Sequence, residues 1–299
     1  MPAESLLPLF AYFAIGLLLR SAAVLQKESA EVLFRLVFNV TLPALAFLSI
    51  SNSSLDRDSV LLPVAGLSVN LACLGLAYLL ARVVQFEKQA TGSLLLASGI
   101  CNMVFIFPFV LAALGPLALA DAVLFDLGNA IFVATVATSI AIRYGETKAL
   151  QFRQSLLRLF RTPVFLALGL AIALNLGDQQ LPTAVSAILS PLAAATIPLT
   201  IVALGLSFRI SGLRGAIPFT AILLRMPLGL AVGAATVHLL AIEGVTAIVV
   251  LVSAAAPIGF SAVTLASVAR LDAEQLAAAT SLSVLLGMFT TTIFLWVAA

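Results

Sequence analysis

Long apolar runs separated by short polar breaks set the plan of this chain. A helix that crosses the hydrocarbon layer of a membrane needs about 20 mostly apolar residues. Ten runs meet that standard, at 5–25, 31–51, 59–83, 90–114, 120–142, 161–178, 182–207, 216–241, 243–268 and 273–298. The breaks carry turn formers and charge: Asn52-Ser53-Ser54 with Asp56 and Asp58, Gly115-Pro116, Gly177-Asp178 and Ser211-Gly212. The longest polar stretch, Arg143 to Arg161, falls midway. It divides the chain into a first half at 1–142, a linker at 143–160 and a second half at 161–299. The pattern predicts an all-α integral membrane protein with ten transmembrane helices, five in each half.

Composition agrees. Apolar residues make up 62% of the 299 and charged residues only 9%, with a mean hydropathy of +1.19. A soluble domain carries roughly 25% charged residues, so this surface is built for lipid. A net charge of +2 gives no reason to expect a nucleic-acid partner. Cys73 and Cys101 both fall inside apolar runs, which argues against a disulfide framework. Glu4 and the lack of any Lys or Arg before the first run argue for a first span that is retained rather than a cleaved signal.

Charge position tests the count. With ten spans, the loops after runs one, three, five, seven and nine share one side of the membrane. They hold Arg20, Lys27, Arg35, Arg82, Lys88, Arg143, Lys148, Arg153, Arg158, Arg161, Arg209, Arg214 and Arg270, thirteen of the fifteen basic residues. The other side holds Arg57 alone, and Arg225 lies within a span. Excess Lys and Arg marks the cytoplasmic face, so the expected location is a bacterial cytoplasmic (inner) membrane with both termini outside. Because five is odd, two repeated halves must enter the membrane in opposite orientations. Thr41-Leu42-Pro43 in run two answers Thr196-Ile197-Pro198 in run seven, and Pro108 in run four answers Pro257 in run nine. Inverted repeats interrupted at corresponding places point to a transporter binding site; the plainer reading is that Pro is common in membrane helices.

Enzyme chemistry has little to work with. The chain has one histidine, no Gly-rich phosphate loop and no CxxC, and neither a metal site nor a cofactor is expected. His238 falls near the outer end of run eight, where a ring at the interface explains it. Polar groups inside the spans carry the information. Asp126 and Asn129, three apart, share one helix face. A carboxylate at depth costs roughly 2.5–3.5 kcal/mol on insertion scales, so it needs a partner, water or a proton. It serves either a proton-linked site facing the bundle interior or a hydrogen bond between helices, for instance to Asn102. Arg225 can attract an anion, neutralise Asp126, or snorkel to the cytoplasm past the break at Pro227. Gly229 and Gly233 form a GxxxG pair suited to helix packing. Ser98-Gly99-Ile100-Cys101-Asn102 precedes Phe105-Ile106-Phe107-Pro108 in run four, and Pro257-Ile258-Gly259-Phe260-Ser261 opens the second part of run nine. Either each is a kinked but continuous helix, or each is broken. In a broken helix the freed backbone must face a cavity rather than lipid, and the new helix N-terminus suits a carboxylate.

These residues resemble the auxin efflux carrier family along essentially the whole chain. The second helix reads Thr41-Leu42-Pro43-Ala44-Leu45, the fifth Asp126-Leu127-Gly128-Asn129, the eighth Arg225 shortly before Pro227. The ninth reads Ala256-Pro257-Ile258-Gly259 through Ala266, leading to Asp272. The resemblance implies two five-helix inverted repeats with crossed, broken helices 4 and 9, a scaffold of helices 1, 2, 6 and 7 containing Pro43 and Pro198, and a mobile transport domain of helices 3–5 and 8–10. It also implies elevator-like motion and a homodimer. Two departures stand out. Asn102 and Pro108 are one residue closer together than the family pattern, with Phe105 and Phe107 in place of its open glycines, and Ser261 replaces an amide in the ninth helix. The two phenylalanines suit a less polar acid.

The resulting expectation is a secondary carrier (permease) for a small organic anion, a carboxylate. Asn102, Phe105, Pro108, Pro257, Gly259 and Ser261 would form the substrate site, and Asp126, Asn129 and Arg225 a coupling network with proton transfer at Asp126. A sodium-coupled symporter of the bile-acid type and a non-transporting membrane receptor are the alternatives.

Overall fold

The computed structural model describes residues 2–53, 55, 57–146, 152–177, 179, 181–209 and 212–298, residues 2, 3 and 27 by their backbone alone. Ser54, Asp56, Lys148, Asp178 and Ser211, named above as breaks or loop charges, lie outside them. The described residues are helical apart from loops and a single two-residue bridge.

Helix α1 (Pro2–Ser21) leads to α2 (Lys27–Leu36), which runs through a π-helical turn at Val37–Thr41 into α3 (Leu42–Ser51). Pro43 explains that turn: it has no N–H to give the carbonyl four residues back, and Leu42 N–H bonds Val37 O, five residues back. Helices α4 (Arg57–Val84) and α5 (Lys88–Gly99) follow, then α6 (Met103–Phe132), a second π-helical turn at Val133–Ala137, and α7 (Thr138–Tyr144). Inside α6, Gly115 has φ 87° and ψ −177°, a conformation that only glycine adopts readily. The axis is interrupted there, with Pro116 next. After the linker come α8 (Phe152–Arg161), α9 (Pro163–Leu176), α10 (Thr183–Ser207), α11 (Ile217–Arg225), α12 (Pro227–Leu240), α13 (Gly244–Ala254), α14 (Phe260–Ala269) and α15 (Ala273–Ala298).

Among the described residues, seven stretches are long and apolar enough to cross a membrane: Glu4–Ser21, Glu28–Ser51, Arg57–Val84, Met103–Tyr144, Thr183–Ser207, Ile217–Leu240 and Ala273–Ala298. Counting the bent pair α8–α9 as one span makes eight. The ninth expected span consists of two shorter apolar helices, α13 and α14. The fourth consists of α5 and the first part of α6.

Packing sorts the helices into two groups. Helix α10 lies along α1, α2 and α3, and α3 lies along α9. Helix α4 lies along α5, α6 and α12, while α11, α13 and α14 pack among α5, α6 and α15. Gly229 on α12 permits one of these approaches, since a Cβ there would meet Ala254 O at 2.3 Å; the GxxxG pair is a packing device. Between the two groups lies the cavity described next.

Candidate functional site

Two helix breaks meet inside the protein. The chain leaves helical geometry at Ile100 and resumes at Met103; in the second half it leaves at Ala255 and resumes at Phe260. The two breaks pair as one turn of antiparallel ladder, with Cys101 opposite Ile258. Asn102 N–H donates to Pro257 O at 2.9 Å, and Gly259 N–H donates to Ile100 O at 2.9 Å. Ile258 N–H donates to Ser283 Oγ at 3.1 Å. Backbone released inside a bilayer must find partners, and these breaks find them mainly in each other. Pro108 departs from its expected role. It lies inside α6, five residues past the start, and the helix continues through it. One missing N–H bends a helix but does not end it when the surrounding turns are packed, and here Phe105, Phe107 and Phe109 are buried on either side.

Each break creates a new helix N-terminus. Asn102 caps α6, its Oδ1 accepting from Phe105 N–H at 3.2 Å. Its Nδ2 is buried and has no partner among the described residues. Gly259 occupies the equivalent position before α14. Helix geometry leaves the first amides of α6 and α14 without intrahelical acceptors and with partial positive charge. Both ends open onto a cavity of about 460 Å³. The crossing supplies Cys101, Asn102, Met103, Val104, Gly259, Phe260 and Ser261 to its wall. Asp126, Asn129 and the second π turn line one side; Phe34, Phe38, Asn39 and Leu42 around the first π turn line the other. Thr138, Ser155, Arg158 and Thr162 lie toward the end rich in basic residues. In the other direction Leu42, Asp126, Val164 and Phe165 are shared with a void of about 10 Å³ closed by Ala46, Phe107, Val123, Leu127 and Leu168. The cavity therefore runs from Ser155, Arg158 and Thr162 at one end to an apolar plug at the other.

Arg225 lies behind the crossing. It is fully buried at the C-terminus of α11, where Pro227 interrupts the helix. Nη2 donates to Ala254 O at 2.6 Å, and Nη1 donates to Ser98 O at 3.2 Å and to Asn70 Oδ1 at 3.3 Å. Ser98 and Ala254 belong to the last turns of α5 and α13, the partially negative ends of the two half-helices. One guanidinium thus caps both. Asn70 Nδ2 donates onward to Asn129 Oδ1 at 3.0 Å, and Asn129 Nδ2 donates to Asp126 Oδ1 at 2.8 Å. Since Arg225 can only donate, the chain of amides has one direction, ending on the carboxylate. Arg225 neither snorkels nor touches Asp126; it is joined to it through two asparagines.

Of the residues singled out in the sequence, Asn102, Gly259, Ser261, Asp126 and Asn129 meet at the cavity, while Pro257 lies in the crossing behind it. Phe105 is buried against Phe109, with ring centroids 4.7 Å apart, and does not line the cavity. Pro43 and Pro198 sit in the α3–α10 group, beside Thr41 and Thr196, which are both buried. Sequence reasoning passed over Asn70, Ser155 and Thr162, and read Arg158 as a loop charge alone. Asn70 is the lone amide of an otherwise apolar run, which is the signal that marks it.

Residues 2–295 match the membrane transport protein family. The chain belongs to that family, the auxin efflux carriers of the resemblance above. It is similar to an uncharacterized transporter of Methanothermobacter thermautotrophicus, 27% identical over 292 residues, which cover 95% of this chain and 94% of that one. It is also similar to an uncharacterized transporter of Methanocaldococcus jannaschii, 24% identical over 309 residues, covering 99% of each. Membership in this membrane transport protein family, together with the apolar helices, makes the chain an integral membrane transport protein.

Proposed function

We propose that the chain is a secondary carrier that moves a small carboxylate across the cytoplasmic membrane by an elevator motion. The observation that carries the reading is the crossing. Two helix N-termini and the unpartnered Asn102 amide converge on one cavity, and oriented N–H groups favour an anion. Arg225 occupies the opposite, negative ends, so the field at the crossing is polarised toward the cavity. Arg158 adds a cation at the mouth.

Ten crossings account for the helices. Met103–Tyr144 spans 42 residues, about 63 Å at 1.5 Å per residue, twice the hydrocarbon thickness. Folded at Gly115, it completes the fourth span begun by α5 and forms the fifth. Helix α9, entered through the bend after α8, and the broken α13–α14 pair complete the count, as two inverted halves with both termini outside. In this reading α1–α3, α9 and α10 are the fixed scaffold, and the helices holding the crossing move against it.

Asp126 gives the coupling. In this reading Asp126, which lines the same cavity as the anion seat, is the residue that carries the coupled proton. The carrier then moves proton and carboxylate together. Stabilisation by a ligand grows with its concentration over Kd, about 2.7 kcal/mol at a hundredfold excess. A thermal-shift series with mono- and dicarboxylates on the detergent-purified protein, at acid and neutral pH and with and without sodium, tests the reading. The expected result is stabilisation by one class of carboxylate, stronger at acid pH. It should be lost in Asn102→Asp, which keeps an N-cap but places a negative charge in the anion seat. Stabilisation by amines or sugars but by no carboxylate would sink the proposal. A strict sodium requirement would favour the symporter of the bile-acid type.

A further inference from the structure

Helix α8 has two unlike faces. Ser155, Arg158 and Leu159, with Thr162 just beyond the helix, form a wall of the cavity at the i, i+3, i+4, i+7 spacing of a single helix face. The outer face carries Leu157 and Phe160, which are 44% and 59% exposed. Arg153 and Arg161 stand among them, and the helix contains no acidic residue. Among the described residues none of its arginines forms an ion pair.

Ten residues reach about 15 Å, too short to span a bilayer. The next helix, α9, has 14 residues, about 21 Å, which is shorter than the ~30 Å hydrocarbon layer. Its start at Pro163 therefore lies at or within the hydrocarbon boundary, and α8 leaves that point at a bend of 54°. The cavity wall pins the inner face, so the apolar and basic face is turned outward at the level of the lipid headgroups.

We propose that α8 is an interfacial helix whose outer face docks on anionic phospholipids of the leaflet on the basic side. Leu157 and Phe160 enter the boundary between headgroups and acyl chains, and Arg153 and Arg161 pair with lipid phosphates. A basic amphipathic helix with aromatic residues on its apolar side binds a membrane surface this way, with a strength that follows lipid charge. Because Arg158 rides on the same helix, lipid charge would set the position of a cation at the cavity mouth. The proposal needs membership in a membrane protein family and the basic-side assignment, and is independent of the transported substrate.

Trp296 is the sole tryptophan, so Trp296→Phe combined with Phe160→Trp leaves one reporter on the outer face. The protein is reconstituted into phosphatidylcholine vesicles with or without phosphatidylglycerol, and quenching by lipids brominated near the headgroup end of the acyl chain is measured. The expected result is blue-shifted emission and quenching at least twofold stronger in the anionic vesicles. The excess should vanish at high salt and in Arg153→Gln with Arg161→Gln. Quenching by aqueous iodide in both vesicle types, with no effect of brominated lipid, would overturn the docking. Equal lipid quenching in both would overturn the role of lipid charge. Leu157→Trp gives a second reporter should the first variant fold poorly.

Discussion

At the scale of single residues, Arg225 is the most heavily committed side chain. A cation buried in a membrane protein without an acidic partner in contact is expensive, and the carbonyls of Ser98 and Ala254 with Asn70 Oδ1 offset that cost. Removing the guanidinium leaves three buried acceptors short of a donor. Arg225→Leu should therefore destabilise the protein by about 3–5 kcal/mol, measured as a lower unfolding temperature in detergent. Arg225→Lys should recover part of the loss, since one ammonium cannot reproduce the planar fork, and Arg158→Gln at the cavity mouth should leave stability near that of the wild type. Unchanged stability in Arg225→Leu would show that the network is not what holds the half-helices together. Asn102 separates two roles in one position. Asn102→Ala removes the cap at a cost of about 1 kcal/mol, whereas Asn102→Asp keeps stability and loses anion binding. The sequence marked Arg225 and Asp126 because charge at depth is rare. It could not reveal that the link between them runs through Asn70, since 155 and 59 residues separate the partners and only the packing of α4 against α6 and α11 brings them together.

At the scale of elements, most helix positions were legible because the hydrophobic runs are long and the stops are strong. Residues 182–207 predict α10 at Thr183–Ser207, and 273–298 predict α15 at Ala273–Ala298. The breaks were half legible. Pro257 falls within the second break, but the first lies at Ile100–Asn102, ahead of Pro108. What ends α5 is the paired backbone of the other break, a tertiary contact that composition does not encode. The π-helical turn at Val37–Thr41 was not read, because it follows from the N–H that Pro43 lacks rather than from a hydrophobic period. Gly128, in the Asp126–Asn129 motif, shows how an element contact fixes one residue. A Cβ there would sit 2.0 Å from Pro63 O on α4, so the two helices touch backbone to backbone. Gly128→Ala should cost about 1–3 kcal/mol or more by forcing α4 from α6, and should disturb the Asn70–Asn129 bond beside it. Gly169→Ala on α9, where nothing lies within 4 Å, serves as the control and should be near neutral. Equal stabilities for both variants would mean that α4 and α6 pack less closely than described.

At the scale of the whole molecule, the cavity lies between the two helix groups, with Arg158 at one end and Ala46, Phe107, Val123, Leu127 and Leu168 stopping it at the other. That asymmetry fits one end state of an alternating-access cycle. The plug is made of side chains from both groups, Ala46 and Leu168 from α3 and α9 and Phe107, Val123 and Leu127 from α6, so under the proposed elevator motion sliding one group past the other would open it. An elevator makes a statement that neither a channel nor a receptor makes: residues of the moving group change sides, and residues at the scaffold's basic end do not. Ser261 lines the cavity from α14, and Thr162 lines it from the start of α9. In a background of Cys73→Ala and Cys101→Ala, Ser261→Cys should react with a membrane-impermeant maleimide from the cytoplasmic side at rest. It should react from the opposite side as well once a transported carboxylate is supplied on both sides. Thr162→Cys should react from the cytoplasmic side alone under both conditions. A receptor that keeps the fold without moving would leave Ser261→Cys confined to one side whatever ligand is present. A fixed pore would expose it to both sides from the start. Only a group that carries its binding site across the membrane makes the labelling of Ser261→Cys, and not of Thr162→Cys, depend on substrate.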